Sequence, residues 1–139
     1  MSPTISASVD FQVEFYDVDA MKVVWHGNYA RYFEIGRMAL FDKLGYGYLE
    51  MEASGFAWPV VDLHIRYVRP ARLGQKLRVT AELMEWENRV VMEFAILDVA
   101  TGERLTKGDS VQVAVEAKSG ELLFLTPEIF QAKVRKAMA

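Results

Sequence analysis

The sequence predicts an α+β fold in which a curved antiparallel sheet wraps one long buried helix and a second helix closes the chain. Three observations carry that expectation. Between Tyr29 and Leu44 apolar residues cover most of the helical circumference, so the helix is buried rather than laid on a surface. From Ala57 onward the hydropathy changes to period two and repeats in strands separated by short turns, as in an antiparallel meander. Near the end, Thr126-Pro127-Glu128 reads as N-cap, N1 and N2 of a terminal helix.

Each element has its own signal. Val9, Phe11, Val13 and Phe15 alternate with polar residues and mark a half-buried first strand. Asn28 is the expected N-cap of the central helix, and Gly45 supplies its stop. The helix itself carries Tyr29, Tyr32, Phe33, Ile35, Met38, Ala39, Leu40, Phe41 and Leu44. A short helical piece follows from about Tyr48 to Ala53 and ends at Ser54-Gly55. Val61, Leu63, Ile65 and Tyr67 then share one strand face, with Asp62, His64 and Arg66 on the other. Leu77, Val79, Ala81 and Leu83 mark the next strand. Val90, Met92, Phe94 and Ile96 mark the one after it, across a turn near Glu87-Asn88. Thr101-Gly102 leads into a fourth, where Val111, Val113 and Val115 alternate before Lys118-Ser119-Gly120-Glu121 closes it. Ile129, Phe130 and Val134 give the terminal helix its apolar side.

Composition excludes several classes of function. A chain of 139 residues is read as one domain, residues 1–139, large enough to bury a core. Hydrophobic residues make up 52% and charged residues 25%, the balance of an ordinary soluble globular protein. A net charge of −3 offers no basic excess for nucleic acid. Without cysteine there is no disulfide, no Cys-zinc site and no Cys nucleophile. His26 and His64 stand far apart, so no structural metal site is expected. The first residues lack the basic and apolar regions of a secretory leader, and no apolar run reaches the roughly 20 residues of a membrane span. The expected location is the cytoplasm.

The chemistry concentrates between Phe15 and Tyr29, which reads Phe-Tyr-Asp-Val-Asp-Ala-Met-Lys-Val-Val-Trp-His-Gly-Asn-Tyr. Asp17 and Asp19 end a strand-like run, and His26 stands where the long helix is about to begin. An acid near a helix start sits beside backbone N–H groups that have no partner and favour negative charge. Hydrolysis of an activated carbonyl needs both: a group to aim water, and donors for the oxyanion. The structural alternative is that the two carboxylates only cap a turn, a common task for aspartate.

This segment resembles the signature of the 4-hydroxybenzoyl-CoA thioesterase family of hotdog-fold proteins, in which Asp-x-Asp leads through a short loop to two apolar residues, an aromatic, Tyr or His, and x-x-Tyr. The family's second element, aromatic-x-x-Pro-Ala-x-x-Gly, is present as Tyr67-Val68-Arg69-Pro70-Ala71-Arg72-Leu73-Gly74. The likeness spans roughly Phe11 to Val115 and implies a hotdog fold. Asp19 falls on the family's catalytic aspartate, as general base or as nucleophile. The backbone N–H groups of His26 and Gly27 become the oxyanion donors. The His26 imidazole helps hold the carboxylate or the substrate carbonyl, and Asn28 and Tyr29 complete the motif as positioning residues. Ala20-Met21-Lys22 departs from relatives that carry glycine in this loop.

The resemblance implies an enzyme that hydrolyses an acyl-CoA or acyl-carrier-protein thioester to acid and thiol, with no metal or resident cofactor. Arg66, Arg69, Arg72, Lys76 and Arg78 are the candidate dock for coenzyme A phosphates or an acidic carrier protein, against the plainer reading of a solvated edge. Met38, Phe41, Trp58 and Val60 are expected along the acyl group. Glu34 is the rival base, set against a helix ion pair with Arg31 or Arg37. His64 is expected at the surface or a subunit interface. Hotdog relatives join sheets edge to edge, so a homodimer or homotetramer is expected. Two other readings stand beside hydrolysis: a non-catalytic acyl-thioester-binding protein, and a hotdog hydratase or dehydratase.

Overall fold

The computed structural model describes residues 4–139, so the reading of Met1 to Pro3 lies outside it. Strand β1 (Ile5–Gln12) leads through two short 3-10 turns, Phe15–Asp17 and His26–Asn28, into helix α1 (Tyr29–Lys43). A short α2 (Tyr48–Ser54) and β2 (Phe56–Ala57) precede β3 (Val60–Tyr67), β4 (Lys76–Glu85), β5 (Val90–Asp98) and β6 (Arg104–Gln112). Only β4, β5 and β6 form the expected meander, because β3 pairs with β6 at the far edge and not with β4. The small β7 (Val115–Glu116) pairs with β2, and α3 (Glu128–Met138) ends the chain. The main sheet has the order β1-β4-β5-β6-β3, antiparallel throughout, so the long connection from β1 through α1 to β3 crosses the sheet. No helix among the described residues is long and apolar enough to cross a membrane.

The helix lies over β1, β4 and β5. Phe33, Leu40 and Phe41 are fully buried there, and Phe33 stacks on Phe94 of β5 with ring centroids 4.6 Å apart. Burying each such side chain is worth about 1.5–3 kcal/mol. The opposite flank, with Glu34, Ile35, Met38 and Ala39, is only half covered or exposed. All-round burial is therefore corrected to burial on one side.

That off-centre placement explains two further departures. Val61, Leu63, Ile65 and Tyr67 alternate as a core face should, yet Val61 is 59% exposed and Tyr67 50%, because no helix covers β3. On β6 the face toward the helix carries Thr106, Ser110 and Gln112, all buried, whereas the valines expected to mark that strand lie elsewhere. The first strand also differs. It begins earlier and stops at Gln12, and Phe15 is 82% exposed because the chain has already turned into the Phe15–Asp17 loop. At the last helix Pro127 is the cap, not Thr126, whose hydroxyl instead reaches the carbonyls of Trp86 (2.7 Å) and Glu87 (3.0 Å).

Gly108 on β6 is required by packing. A β-carbon there would stand 2.2 Å from the His64 carbonyl oxygen and 2.6 Å from the Phe33 ring. The carbonyl belongs to a paired strand and has little freedom to move away. Gly108→Ala should therefore destabilise the fold by about 2–3 kcal/mol, the usual range for overpacking a core. Denaturant unfolding measures this, and a loss within about 0.5 kcal/mol would show that β3 and β6 are not held as described.

Candidate active site

The hairpin before the central helix is built almost wholly by backbone bonds. Val18 bridges Val24, the Asp19 N–H donates to the Val23 carbonyl (3.0 Å), and the Trp25 N–H donates to the Asp17 carbonyl (3.0 Å). At its tip Lys22 adopts φ 64°, the left-handed region. The Asp19 carboxylate is exposed, and its Oδ1 accepts the Met21 N–H at 2.8 Å. Its other oxygen has no hydrogen-bond partner among the described residues.

Asp17 points the other way and is 2% exposed. Its Oδ2 accepts the Glu14 N–H at 2.9 Å, and its Oδ1 pairs with Arg31 of α1. Asp17 thereby folds the loop and is spent in doing so. Tyr32 lies fully buried beside it. Burial, and next the Asp17 carboxyl, push the Tyr32 hydroxyl well above the usual tyrosine range. That oxygen makes no hydrogen bond of good geometry.

The helical run starts at His26, with Trp25 as its cap. His26 and Gly27 are the first two residues of that run, where backbone N–H groups have no partner within the helix. Neither N–H makes a hydrogen bond elsewhere among the described residues. Asn28 stands at the N-cap position of α1, as the sequence suggests, but its side chain makes no capping bond. Its own backbone is already helical, and its side-chain amide donates to the Asp17 carbonyl at 2.8 Å. It ties the aspartate hairpin to the helix start. The His26 imidazole is exposed and tilted over Trp25, with ring centroids 5.2 Å apart, and no hydrogen bond joins it to Asp19 among the described residues.

The second motif is stitched onto the first. The Val24 N–H donates to the Ala71 carbonyl (2.8 Å), and the Leu73 N–H donates to the Lys22 carbonyl (3.1 Å). The Ala71 N–H donates to the Tyr29 hydroxyl (3.1 Å), while the Tyr67 hydroxyl donates to the His26 carbonyl (3.0 Å). The two tyrosine rings meet edge to face at 5.0 Å. Burial raises the Tyr29 hydroxyl above its ordinary pKa. Tyr67, which the sequence placed only within the second motif, thus fastens the helix start, and Asn28 fastens the aspartate hairpin to it.

The remaining candidates are dispersed. Arg69 pairs with Glu103 (2.7 Å) and Arg78 with Asp10 across β4 and β1 (2.7 Å), while Arg66, Arg72 and Lys76 have no ion-pair partner among the described residues. Arg66 lies on β3 and Arg78 on β4, which the sheet order separates by two strands. Glu34 is engaged by Arg37, whose side chain is buried and also donates to Ser110 Oγ at 2.8 Å. Burial pulls the Arg37 pKa down, against the opposite pull of Glu34. His64 is exposed beside Asp109 (3.0 Å) and Asp62 (3.4 Å). A cavity of about 390 Å³ opens beside α1, lined by Met38, Phe41, Phe56, Trp58 and Gln112, with Arg37 and Glu34 at its polar side. Val60 is not part of its wall.

Known proteins are similar to this chain in sequence and in fold. Residues 13–135 match the family described as the thioesterase-like superfamily. YneP of Bacillus subtilis (strain 168), named a candidate acyl-CoA thioesterase, is 32% identical over 111 residues, covering 79% of this chain and 80% of its own. ATL3 of Arabidopsis thaliana, named a chloroplastic acyl-acyl carrier protein thioesterase, is 25% identical over 111 residues, covering 79% of this chain and 58% of its own. The solved structure of DHNA-CoA thioesterase from Staphylococcus aureus superposes with a TM-score of 0.85 at 25% identity, over 94% of this chain and 89% of that one. The fold and these likenesses define the class as the hotdog-fold thioester hydrolase. Within it, the chain belongs to the thioesterase-like superfamily.

The two tyrosine bonds should differ in worth. Tyr29→Phe leaves the Ala71 N–H buried without an acceptor, which costs about 1–3 kcal/mol. Tyr67→Phe frees a carbonyl near solvent and should cost under about 1 kcal/mol. Equilibrium unfolding of both variants measures the difference, and equal losses would contradict the stitch.

Proposed function

We propose that the chain hydrolyses an acyl thioester, carried on coenzyme A or an acyl carrier protein, to free acid and thiol. One observation carries the reading. An exposed carboxylate, Asp19, shares a short hairpin with the start of a helical run whose first N–H groups, at His26 and Gly27, are unpartnered. A thioester carbonyl seated on those donors gains stabilisation as its oxygen becomes an oxyanion. Asp19 either deprotonates a water aimed at that carbon or attacks it and is freed by water later. A thiolate leaves readily, its conjugate thiol having a pKa near 8–9, so no strong acid is needed. The reaction requires no resident metal or cofactor, and coenzyme A or pantetheine arrives as part of the substrate.

Thiol release from a panel of acyl thioesters tests the reading against its rivals. A binding protein holds them without turnover, and a dehydratase changes absorbance without releasing thiol. Asp19→Asn should lower kcat by about 10²–10⁴, the usual worth of a general base, while Asp17→Asn and Glu34→Gln cost far less. Collapse of activity in Glu34→Gln with Asp19→Asn unharmed would transfer the role to the helix. His26→Ala should keep measurable activity, because the backbone donor survives the change.

The working form is proposed to be a dimer built on β3. Both faces of this edge strand are open, and its apolar residues lie in a continuous row. Antiparallel pairing with a second copy must match like faces, so a two-fold axis has to pass through a residue. Centring it on His64 sets Leu63 opposite the partner's Ile65, Val61 opposite the partner's Tyr67, and Asp62 opposite the partner's Arg66. Asp62→Arg should then dissociate the dimer, and adding Arg66→Asp should restore it, as followed by analytical ultracentrifugation. A wild-type protein that is monomeric and fully active would overturn the dimer as the working form.

A further inference from the structure

Gly27 has no conformational need to be glycine, because its φ is not positive, in contrast to Gly45 and Gly55. What the position lacks is room. A β-carbon there would stand 2.3 Å from Cζ3, 2.4 Å from Cη2 and 2.8 Å from Cε3 of the Trp25 indole. Those three atoms are its nearest neighbours. A β-carbon lies about 2.5 Å from its own nitrogen, so the ring edge comes within about 5 Å of the Gly27 N–H.

Core burial does not account for this placement. Trp25 is 52% exposed, although tryptophan is mostly buried in folded chains. Nor does the hairpin need an indole. The Trp25 N–H reaches the Asp17 carbonyl (3.0 Å) and its carbonyl accepts from the Asn28 N–H (2.9 Å), whatever the side chain is. The His26 ring leans on the same indole at 5.2 Å, so Trp25 touches both residues that present a free donor. Gly27 itself stays exposed. The ring therefore closes one side of the donor and leaves another open to a ligand.

We propose that Trp25 is a positioning residue of the oxyanion seat, its indole screening the Gly27 N–H from bulk water, an assignment that rests on the thioesterase reading. A hydrogen bond to developing negative charge is stronger where water is excluded and the local dielectric falls. An apolar wall beside the donor also removes water that competes for it. The glycine then has a reason, since only a residue without a β-carbon leaves the ring in place.

The test compares wild type, Trp25→Phe, Trp25→Ala, Gly27→Ala and the double alanine variant in thiol release from an acyl-CoA. Trp25→Ala should lower kcat by about tenfold to thirtyfold, less than the 10²–10³ lost with a whole oxyanion donor. KM should stay within about twofold, because the loss falls on charge that forms only in the transition state. Trp25→Phe keeps a ring and should recover most of the rate. Gly27→Ala keeps its N–H but pushes the indole aside, so it should match Trp25→Ala. The two alanine changes should not add, because removing the indole vacates the space that the new β-carbon needs. In Asp19→Asn protein, Trp25→Ala should shift the infrared band of a bound, labelled thioester carbonyl toward its aqueous frequency.

Wild-type kcat in Trp25→Ala, losses that add, or a change in KM alone would overturn the screen while wild-type turnover keeps the thioesterase reading intact. Rate losses that merely track falling thermal midpoints, with the carbonyl band unmoved, would assign the ring to structure and overturn it too. Wild type that releases no thiol from any acyl thioester would sink the thioesterase reading itself.

Discussion

A helix start can serve as an oxyanion site only if its first N–H groups stay free while the backbone around them is fixed. Those demands conflict, since a free N–H is normally found where a chain is loose. Here the conflict is resolved by bonds made on every side of the free groups. The Trp25 N–H is tied to Asp17, the His26 carbonyl to the Tyr67 hydroxyl, and the Asn28 amide to the Asp17 carbonyl. Backbone bonds from Val24 to Ala71 and from Leu73 to Lys22 then fasten the aspartate turn to the same second segment. No single bond of this kind is worth much more than about 1 kcal/mol net. Their value is geometric, because small displacements at a reacting centre lose large factors in rate.

The position of α1 on the sheet shapes everything else. By lying over β1, β4 and β5 it buries Phe33, Leu40 and Phe41 and leaves β3 without a roof. The face of β6 toward the helix carries Thr106, Ser110 and Gln112, all buried, and the buried guanidinium of Arg37 settles against Ser110. The uncovered row on β3 is apolar and edge-exposed, which invites pairing. The cavity lined by Met38, Phe41 and Trp58 lies beside the half-covered flank of α1.

Much of this was legible in the chain. The central helix follows its apolar pattern to within a residue or two, and the strands β4 and β5 follow theirs. The Asp19 to Tyr29 segment and the Tyr67 to Gly74 segment stand out by motif, and they meet in space. Burial was less legible, because period two reports which residues share a face and not whether anything covers it. Hence Val61 and Leu63 share an apolar face, as their spacing says, and that face lies open. The cations from Arg66 to Arg78 read as one cluster because they are close along the chain, yet the sheet order carries them to different strands. Asn28 read as a cap because its type and position fit one, while a nearby carbonyl offered its amide a better partner.

The central claim is that the backbone donors at His26 and Gly27 polarise a bound thioester carbonyl. The most direct measurement is the infrared stretch of an isotope-labelled carbonyl in an acyl-CoA bound to Asp19→Asn protein, where the complex survives because the base is gone. Donors aimed at the oxygen weaken the C=O bond, so the band should fall below its frequency in water. A band at or above the aqueous frequency, in a complex shown to be saturated, would mean that the helix start does not hold the carbonyl.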